Sequence, residues 1–345
     1  MRSKTLPREH TYRPAWWVPG AHAQTLWGKF ARRAPALPTR IERWSTPDHD
    51  FIDILRLEAG PERPRLFLLH GLEGSVRSHY VGGLLQMAHS RDWGADMLIF
   101  RGCGDEPNRA ARFYHSGETG DAAFAIERVL EEFPRAPLGL CGISLGGNVL
   151  LKWLGERGDT VSDRIRAAAA ISVPFDLERG SRHISQGFSR IYERHFLRTL
   201  RRKAAEKLRH FPGLFDLGAM QRARTLYDFD EIVTGPIHGF RGAHDYYTQS
   251  SSLQFLAGIR RPTLLLSAKD DPFLPAEVLD AVTAIARANP FLTTEFSDHG
   301  GHVGFVAGRP WCPEYYAERR VGEFLSDALS VMSSESRELR ARASG

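Results

Sequence analysis

Short apolar runs recur along most of the chain and alternate with segments of helical periodicity. The first two runs alternate apolar and polar residues on either side of a turn at 47–50, which is typical of an antiparallel strand pair. The later runs are apolar at consecutive positions, as expected for strands buried on both faces of a parallel sheet. The predicted strands are Ile41–Trp44, Phe51–Leu57, Arg65–Leu69, Asp96–Phe100, Pro137–Cys141, Ala167–Val173, Thr263–Ser267 and Leu292–Phe296.

Helical patterns fill the gaps between these strands, for example at Gly120–Glu132 and Asn148–Arg157. This βαβα alternation predicts an α/β fold, with a mostly parallel central sheet and helices on both of its faces. One gap, between residues 173 and 263, is much longer than the others and contains the arginine-rich helical segment Arg190–His210. We therefore expect a helical cap insertion at about 176–258, over the carboxyl edge of the sheet where α/β proteins bind ligands.

The whole chain, 1–345, is predicted to form a single domain around this sheet. An aromatic-rich N-terminal arm, 1–40, is expected to pack on the domain, and the polar residues 333–345 are expected to fray. The N-terminus lacks the apolar region of a secretory signal, and no run approaches the roughly 20 apolar residues that span a bilayer. These features favour a soluble, cytoplasmic protein.

The composition is that of an ordinary globular protein, with 42% apolar and 25% charged residues. The net charge of +5 comes mainly from arginines that are spread along the chain, so nucleic acid is not an expected partner. Cys103, Cys141 and Cys312 are odd in number and far apart, which favours a reducing compartment. They form no Cys/His zinc pattern, and we expect neither a metal nor any other cofactor.

The run Gly142-Ile143-Ser144-Leu145-Gly146 matches the pattern G-x-S-x-G. The pattern alone is weak evidence, but here it directly follows a predicted strand and directly precedes a helical segment. A strand–turn–helix setting is what a nucleophile elbow requires, because the tight turn exposes the serine oxygen at the helix N-terminus. We therefore predict that Ser144 is a catalytic nucleophile, against the alternative of an idle serine in a glycine-rich turn.

A serine nucleophile needs a base and an acid that orients the base, and both candidates follow later strands. Asp270 and Asp271 come after Thr263–Ser267, and His299 and His302 come after Leu292–Phe296. In this kind of fold the chain order is serine, acid, histidine, which these positions satisfy. Asp271 is preferred because it directly precedes a proline, and His302 because the glycines before it let the loop curl back. A metal site built from the same groups is the less favoured alternative, since no HExxH pattern accompanies them.

An oxyanion hole needs two amide donors, and the second usually follows an early strand. His70-Gly71 ends the strand Arg65–Leu69, so the predicted donors are the amides of Leu72 and Leu145. His70 precedes the serine in the chain, which argues for a structural role in shaping this loop rather than for the role of base.

Taken together, these motifs resemble those of the YheT-type α/β hydrolases, the AB hydrolase 4 family. The resemblance spans roughly residues 14–324 and rests on Gly20-Ala21-His22-Ala23-Gln24-Thr25-Leu26-Trp27, His70-Gly71-Leu72-Glu73-Gly74-Ser75, Arg101-Gly102-Cys103-Gly104, Tyr114-His115-Ser116-Gly117-Glu118-Thr119, Gly142-Ile143-Ser144-Leu145-Gly146-Gly147-Asn148, Asp270-Asp271-Pro272 and His299-Gly300-Gly301-His302-Val303-Gly304-Phe305. It implies the α/β-hydrolase fold, a triad of Ser144, Asp271 and His302, and hydrolysis of carboxylic esters of acyl or lipid type. One position departs from the family pattern, which commonly has Gly-Gly where Gly104-Asp105 stands here.

The main hypothesis is a serine esterase that works through an acyl-enzyme on a small-molecule ester. An acyltransferase with the same triad and a non-catalytic binding module on the same fold are the alternatives. The segment Arg190–His210 is interpreted as a cap helix whose apolar stripe faces the pocket or the sheet. Peripheral contact of this basic helix with an anionic membrane is the alternative interpretation. The sequence gives no indication of an oligomeric state.

Overall fold

The computed structural model describes the backbone of residues 11–343 and the side chains of residues 11–329. The side chains of the polar tail, 333–345, fall outside this range, and its expected fraying stays a prediction. Within the described residues, no helix combines the length and the apolar character that are needed to cross a bilayer.

Eight strands of the described chain form one sheet, in the order β1-β2-β4-β3-β5-β6-β7-β8. β2 is antiparallel to both β1 and β4, and all the other pairs are parallel. Each predicted strand is present, with ends that shift by no more than two residues, so the predicted α/β sheet is confirmed. An antiparallel hairpin, β9 and β10, was not predicted. The strands are β1 (Thr39–Ser45), β2 (Phe51–Leu57), β3 (Arg65–Leu69), β4 (Gly94–Ile99), β5 (Leu138–Ile143), β6 (Ile165–Ile171), β7 (Thr263–Ala268), β8 (Leu292–Ser297), β9 (Val306–Arg309) and β10 (Cys312–Tyr315).

Helices cover both faces of the sheet. They are α1 (Gly20–Ala31), α2 (His79–His89), α3 (Gly120–Glu132), α4 (Leu145–Arg157), α5 (Leu177–Ile184), α6 (Arg190–His210), α7 (Leu217–Arg222), α8 (Leu226–Phe229), α9 (Gly235–Ile237), α10 (Ala243–Ser250), α11 (Glu277–Ala288) and α12 (Tyr316–Ala343). Short 3-10 turns lie at Gly158–Thr160, Gly187–Ser189 and Ser252–Gly258, and a π-helical turn lies at Asp230–Thr234.

The helices on both faces of the sheet explain why its strands appear in the sequence as nearly continuous apolar runs. In β3, Phe67 and Leu69 pack with α3, α4 and α11, whereas Leu66 and Leu68 pack with α2 and α12. Neighbouring residues of a strand point to opposite faces, so a strand between two layers of helices is apolar at most positions, and the charged residues that it buries are ion-paired. Because β3 to β8 are parallel, the carboxyl ends of these strands lie along the same edge of the buried sheet.

The long gap between β6 and β7 contains the helices α5 to α10, in the region where a cap insertion was predicted. We call residues 172–262 the helical insertion. The apolar stripe of α6 packs inside it, where Leu197 and Ala204 contact a small core that contains Met220, Phe229 and Val233. Ile191 lies outside this core and is exposed to solvent.

The N-terminal segment is tied to the domain near the carboxyl edge of the sheet. Gln24 of α1 is buried, and its side-chain oxygen accepts a hydrogen bond from the Val306 amide at 2.7 Å. The Trp17 and Trp27 rings pack edge to face at 4.7 Å, and the Trp17 indole donates to the Gly308 carbonyl. Trp17 therefore packs on the β9–β10 hairpin, whereas Trp16 is exposed to solvent.

Candidate active site

Ser144 is the single residue between β5 and α4, so the chain turns from strand to helix within one residue. Its backbone has φ 53° and ψ −120°, a conformation that non-glycine residues rarely adopt. The two glycines of the motif are required sterically. A Cβ on Gly142 would lie 2.5 Å from the Gly146 carbonyl oxygen, and one on Gly146 would lie 2.3 Å from the Leu69 carbonyl oxygen. The turn is therefore a strained strand–helix junction of the kind that the sequence predicts.

The three residues proposed from the sequence as a triad lie in one hydrogen-bonded chain. His302 Nε2 is 3.0 Å from Ser144 Oγ, and His302 Nδ1 is 2.8 Å from Asp271 Oδ2. The Asp271 side chain is fully buried, and its second oxygen accepts the Phe273 amide at 2.8 Å. These contacts are consistent with a proton on His302 Nδ1, which leaves Nε2 free to accept the serine proton.

The two alternative residues, Asp270 and His299, lie together, and among the described residues no hydrogen bond joins either of them to Ser144. His299 Nδ1 is 3.3 Å from Asp270 Oδ2, and the His299 side chain is 65% exposed. The other Asp270 oxygen accepts the Gly301 amide at 2.9 Å, so Asp270 fixes the loop that leads to His302. The described residues contain no group of three or more His, Cys, Asp or Glu side chains that could hold a metal ion.

The loop that carries His302 is held from several sides. Gly301 has φ 60°, and a Cβ there would lie 2.4 Å from the Ala21 carbonyl oxygen of α1. The His302 amide donates to Thr25 Oγ1, and the Val303 amide donates to Ser172 Oγ. The Phe273 ring stacks on the His302 imidazole at 4.2 Å. Sequence reasoning missed these supports, although Thr25 lies within one of the motifs quoted for the family resemblance.

The loop after β3 lies against the nucleophile. A Cβ on Gly71 would be 3.1 Å from Ser144 Cβ. The backbone amides of Leu72 and Leu145 find no acceptor among the described residues, so both are available to an oxyanion. His70 is completely buried; its Nδ1 donates to the Gly71 carbonyl and its Nε2 accepts the Phe100 amide. Burial lowers the pKa of His70 to about 4, so the ring is neutral and shapes the loop.

A family model described as the alpha/beta hydrolase fold matches residues 64–308 of this chain. The chain belongs to this family. The match includes the elbow, both aspartates and both histidines discussed above.

Several known proteins are similar in sequence to this α/β hydrolase. The protein named "Putative esterase YheT" of Escherichia coli (strain K12) is 38% identical over 317 residues, which cover 90% of this chain and 92% of that protein. The mouse phospholipase ABHD3 is 29% identical, over 86% of this chain and 74% of that protein. The monoacylglycerol lipase of Saccharomyces cerevisiae is 30% identical, over 75% of this chain and 59% of that protein. The resemblance to YheT-type hydrolases is thus confirmed.

Solved structures support the same fold. The esterase Pf2001 of Pyrococcus furiosus superimposes with a TM-score of 0.57 at 15% sequence identity, over 85% of this chain and 93% of that chain. At this identity the likeness shows the fold alone.

The α/β hydrolase has a cavity of about 770 Å³ at Ser144 and His302, between the sheet edge, α1 and the helical insertion. Its wall is largely apolar and includes Leu72, Leu177, Ile184, Phe196, Leu200, Phe229, Phe273 and Leu274. A cavity of this size and lining is typical of a site for a small, largely apolar molecule.

Asp230 is an acid that lines this cavity on the π-helical turn of the insertion. Its two oxygens accept hydrogen bonds from Thr234 Oγ1 and from the Tyr247 hydroxyl, each at 2.6 Å. Burial raises the pKa of Asp230 to about 6. No sequence signal indicated this residue, because an isolated aspartate in a helical segment is typical of a position exposed to solvent.

Proposed function

We propose that this enzyme hydrolyses carboxylic esters with Ser144 as nucleophile, His302 as general base and acid, and Asp271 as the group that orients the imidazole. The observation that carries the proposal is the continuous hydrogen-bonded chain from Ser144 Oγ through His302 to the buried Asp271. The ester as the bond cleaved is supported by the relatives, which are named as esterases and lipases.

The acylation step follows from these contacts. His302 Nε2 takes the Ser144 proton as Oγ attacks the ester carbonyl carbon, and Asp271 stabilises the imidazolium that forms. The negative charge that develops on the carbonyl oxygen is placed between the Leu72 and Leu145 amides, each of which is worth about 3 kcal/mol in comparable sites. The tetrahedral intermediate then collapses, the ester C–O bond breaks, and His302 donates its proton to the departing alcohol.

Deacylation repeats the same steps with water in place of the serine. His302 removes a proton from a water molecule, whose oxygen attacks the acyl carbon bound to Ser144 Oγ. The same two amides hold the second oxyanion, and the proton returns to Ser144 as the free carboxylic acid leaves. These steps need no group beyond the residues already named.

The largely apolar cavity supports an ester with an apolar acyl chain as substrate. Burial of each methylene of such a chain is worth about 0.8 kcal/mol, so the specificity constant should rise with chain length until the cavity is filled. A series of p-nitrophenyl esters of increasing acyl length measures this dependence directly.

The assignment of the nucleophile is tested by replacement and by covalent labelling. Ser144→Ala should lower ester hydrolysis by at least about a thousandfold and should abolish labelling by a fluorophosphonate probe. Ser181→Ala changes another serine that lines the same cavity and should keep both. Hydrolysis or labelling that survives in Ser144→Ala contradicts the proposal. Product analysis with a competing alcohol separates transfer of the acyl group to water from transfer to an alcohol.

A further inference from the structure

The mouth of the cavity is bordered by three large apolar side chains that face solvent. Phe30 at the end of α1 is 76% exposed, and Phe188 and Ile191 of the helical insertion are 52% and 51% exposed. All three line the cavity wall. Large apolar side chains clustered at one opening are unusual on a surface that faces only water, and such clusters mark interaction sites.

These side chains come from two elements that lie against each other. The His22 ring of α1 packs on Phe188 at 4.5 Å, and Lys29 Nζ lies 3.5 Å from His195 Nε2 of α6. The end of α1 and the start of α6 therefore form two sides of one opening. We call Phe30, Phe188 and Ile191 the apolar triplet.

The exposed charged side chains of the cavity wall are all of one sign. Lys29, Arg33 and Arg77 are the exposed charged residues of the cavity wall. The two acids of that wall are not exposed: Glu73 accepts a hydrogen bond from Lys203, and Asp230 accepts one from the Tyr247 hydroxyl.

Helix α6 extends this positive border. Arg194 and Arg198 follow Ile191 at spacings of three and seven residues, which places them on the same face of the helix. Both are exposed. We call Lys29, Arg33, Arg77, Arg194 and Arg198 the basic border; among the described residues, none of them forms an ion pair with an acid.

We propose that the apolar triplet and the basic border dock this enzyme on a bilayer that contains anionic lipid, with the mouth of the cavity turned towards the membrane. Aromatic and aliphatic side chains that enter the boundary between headgroups and acyl chains, with cations beside them, are the features of a peripheral membrane contact. Within the described residues, no helix is long and apolar enough to cross a bilayer.

Docking at this surface also indicates the class of substrate, an inference that rests on the proposed ester hydrolysis. An ester with a long apolar chain has little tendency to leave a bilayer for water. A cavity that opens between the triplet residues lets the chain pass from the membrane interior into the apolar pocket without crossing water. The substrate class that fits is therefore a lipid ester held in an anionic membrane.

Docking is tested by co-sedimentation of the full chain with vesicles, which needs no catalysis. The wild type and Ser144→Ala should both bind vesicles of phosphatidylcholine with phosphatidylglycerol, and should bind pure phosphatidylcholine much more weakly. Loss of two cations in Arg194→Glu/Arg198→Glu should reduce the partition coefficient by about 25-fold or more, since each basic residue near an anionic surface contributes about fivefold. Phe30→Ser should also weaken binding.

Matched controls separate the docking surface from general effects. Arg128→Glu/Arg287→Glu makes the same charge change at exposed positions that do not line the cavity, and Trp311→Ser removes an exposed aromatic ring elsewhere. Both should bind like the wild type, and thermal unfolding verifies that every variant is folded. Equal binding to neutral and anionic vesicles, or equal binding by the border variant and its control, overturns the proposal. Vesicle binding without any ester hydrolysis would refute the proposed function while leaving the docking surface intact.

Discussion

Lys203 of the helical insertion forms an ion pair with Glu73, the residue that follows Leu72 in the loop after β3. The ammonium nitrogen is 2.9 Å from each carboxylate oxygen, and the Glu73 side chain is buried. The Tyr114 hydroxyl accepts the Glu73 amide at 2.8 Å and donates to its carboxylate at 2.9 Å. Glu73 has φ 54°, so these contacts hold a strained backbone next to an amide that we assign to the oxyanion hole.

This pair links the insertion to the loop, and its removal should affect the chemical step. Lys203→Met leaves the Glu73 carboxylate buried without its cation, a change that is strongly destabilising in other proteins. We expect the loop to shift and kcat to fall about tenfold or more, because an oxyanion donor that moves out of place costs up to about 3 kcal/mol. Steady-state kinetics on a short p-nitrophenyl ester measure kcat and KM separately.

The control for this variant lies one position away on the same helix. Arg202→Met removes an exposed cation that has no acid partner among the described residues, and it should leave kcat unchanged. A Lys203→Met enzyme with wild-type kcat and KM would mean that the ion pair does not position the loop.

The acid of the triad is tested by a pair of neighbouring substitutions. Asp271→Asn removes the charge that orients His302 and should lower kcat by about 10⁴-fold, as the wrong imidazole tautomer does in serine proteases. Asp270→Asn changes a residue that holds the Gly301 amide and the exposed His299, so it should cost less than about tenfold. The reverse ranking in kcat would transfer the role of the acid to Asp270.

The steric demand of the elbow is tested by a glycine replacement. Gly146→Ala places a Cβ against the carbonyl oxygens of Leu69 and His70 and should cost about 3 kcal/mol or more of unfolding free energy. Gly180→Ala introduces the same methyl group inside α5, where the nearest atoms are 3.8 Å away. It should stabilise the protein by up to about 1 kcal/mol through helix propensity. Urea unfolding of both variants measures the difference, and equal stability would show that the turn tolerates a Cβ.

The neutral, buried His70 predicts a loss of stability in acid. Its pKa is about 4 in the folded state and 6.5 in the unfolded chain, because burial disfavours the imidazolium. Between these values the unfolded chain binds more protons, so this residue lowers the unfolding free energy as the pH falls from 6.5 towards 4, by at most about 3 kcal/mol. In His70→Asn the free energy of unfolding should depend less steeply on pH over this window, although the variant is less stable at pH 7.5. Identical pH slopes for the wild type and the variant would contradict this account.

Much of the architecture was predictable because it depends on local pattern. A strand between two layers of helices is apolar at most positions on both faces, so β3, β5 and β7 are recognisable in the sequence as nearly continuous apolar runs. The hairpin of β9 and β10 was not predicted, because its residues are mostly exposed and carry no apolar pattern. The elbow was predictable for a different reason, since the tight turn between strand and helix requires glycine two residues before and two residues after Ser144.

The surroundings of the site depend on contacts between segments that are distant along the chain. Thr25 of α1 supports His302 across 277 positions, and Lys203 meets Glu73 across 130. No periodicity or motif spacing indicates such pairs. The same is true of the apolar triplet, whose residues become neighbours only when α1 and the insertion pack together.

The amino-acid sequence by itself determined the order along the chain of the strands of the main sheet, the identity of the elbow serine and the short list of acids and bases beyond two later strand ends. These features are local, because burial pattern, turn sterics and chain order act over a few residues. The sequence favoured Asp271 and His302 for the triad, but only the tertiary structure shows that both lie in one hydrogen-bonded chain with Ser144, what holds the oxyanion loop and which side chains surround the cavity mouth. Those outcomes depend on where separate segments meet in three dimensions, and the carboxyl edge of one sheet is the place where they meet.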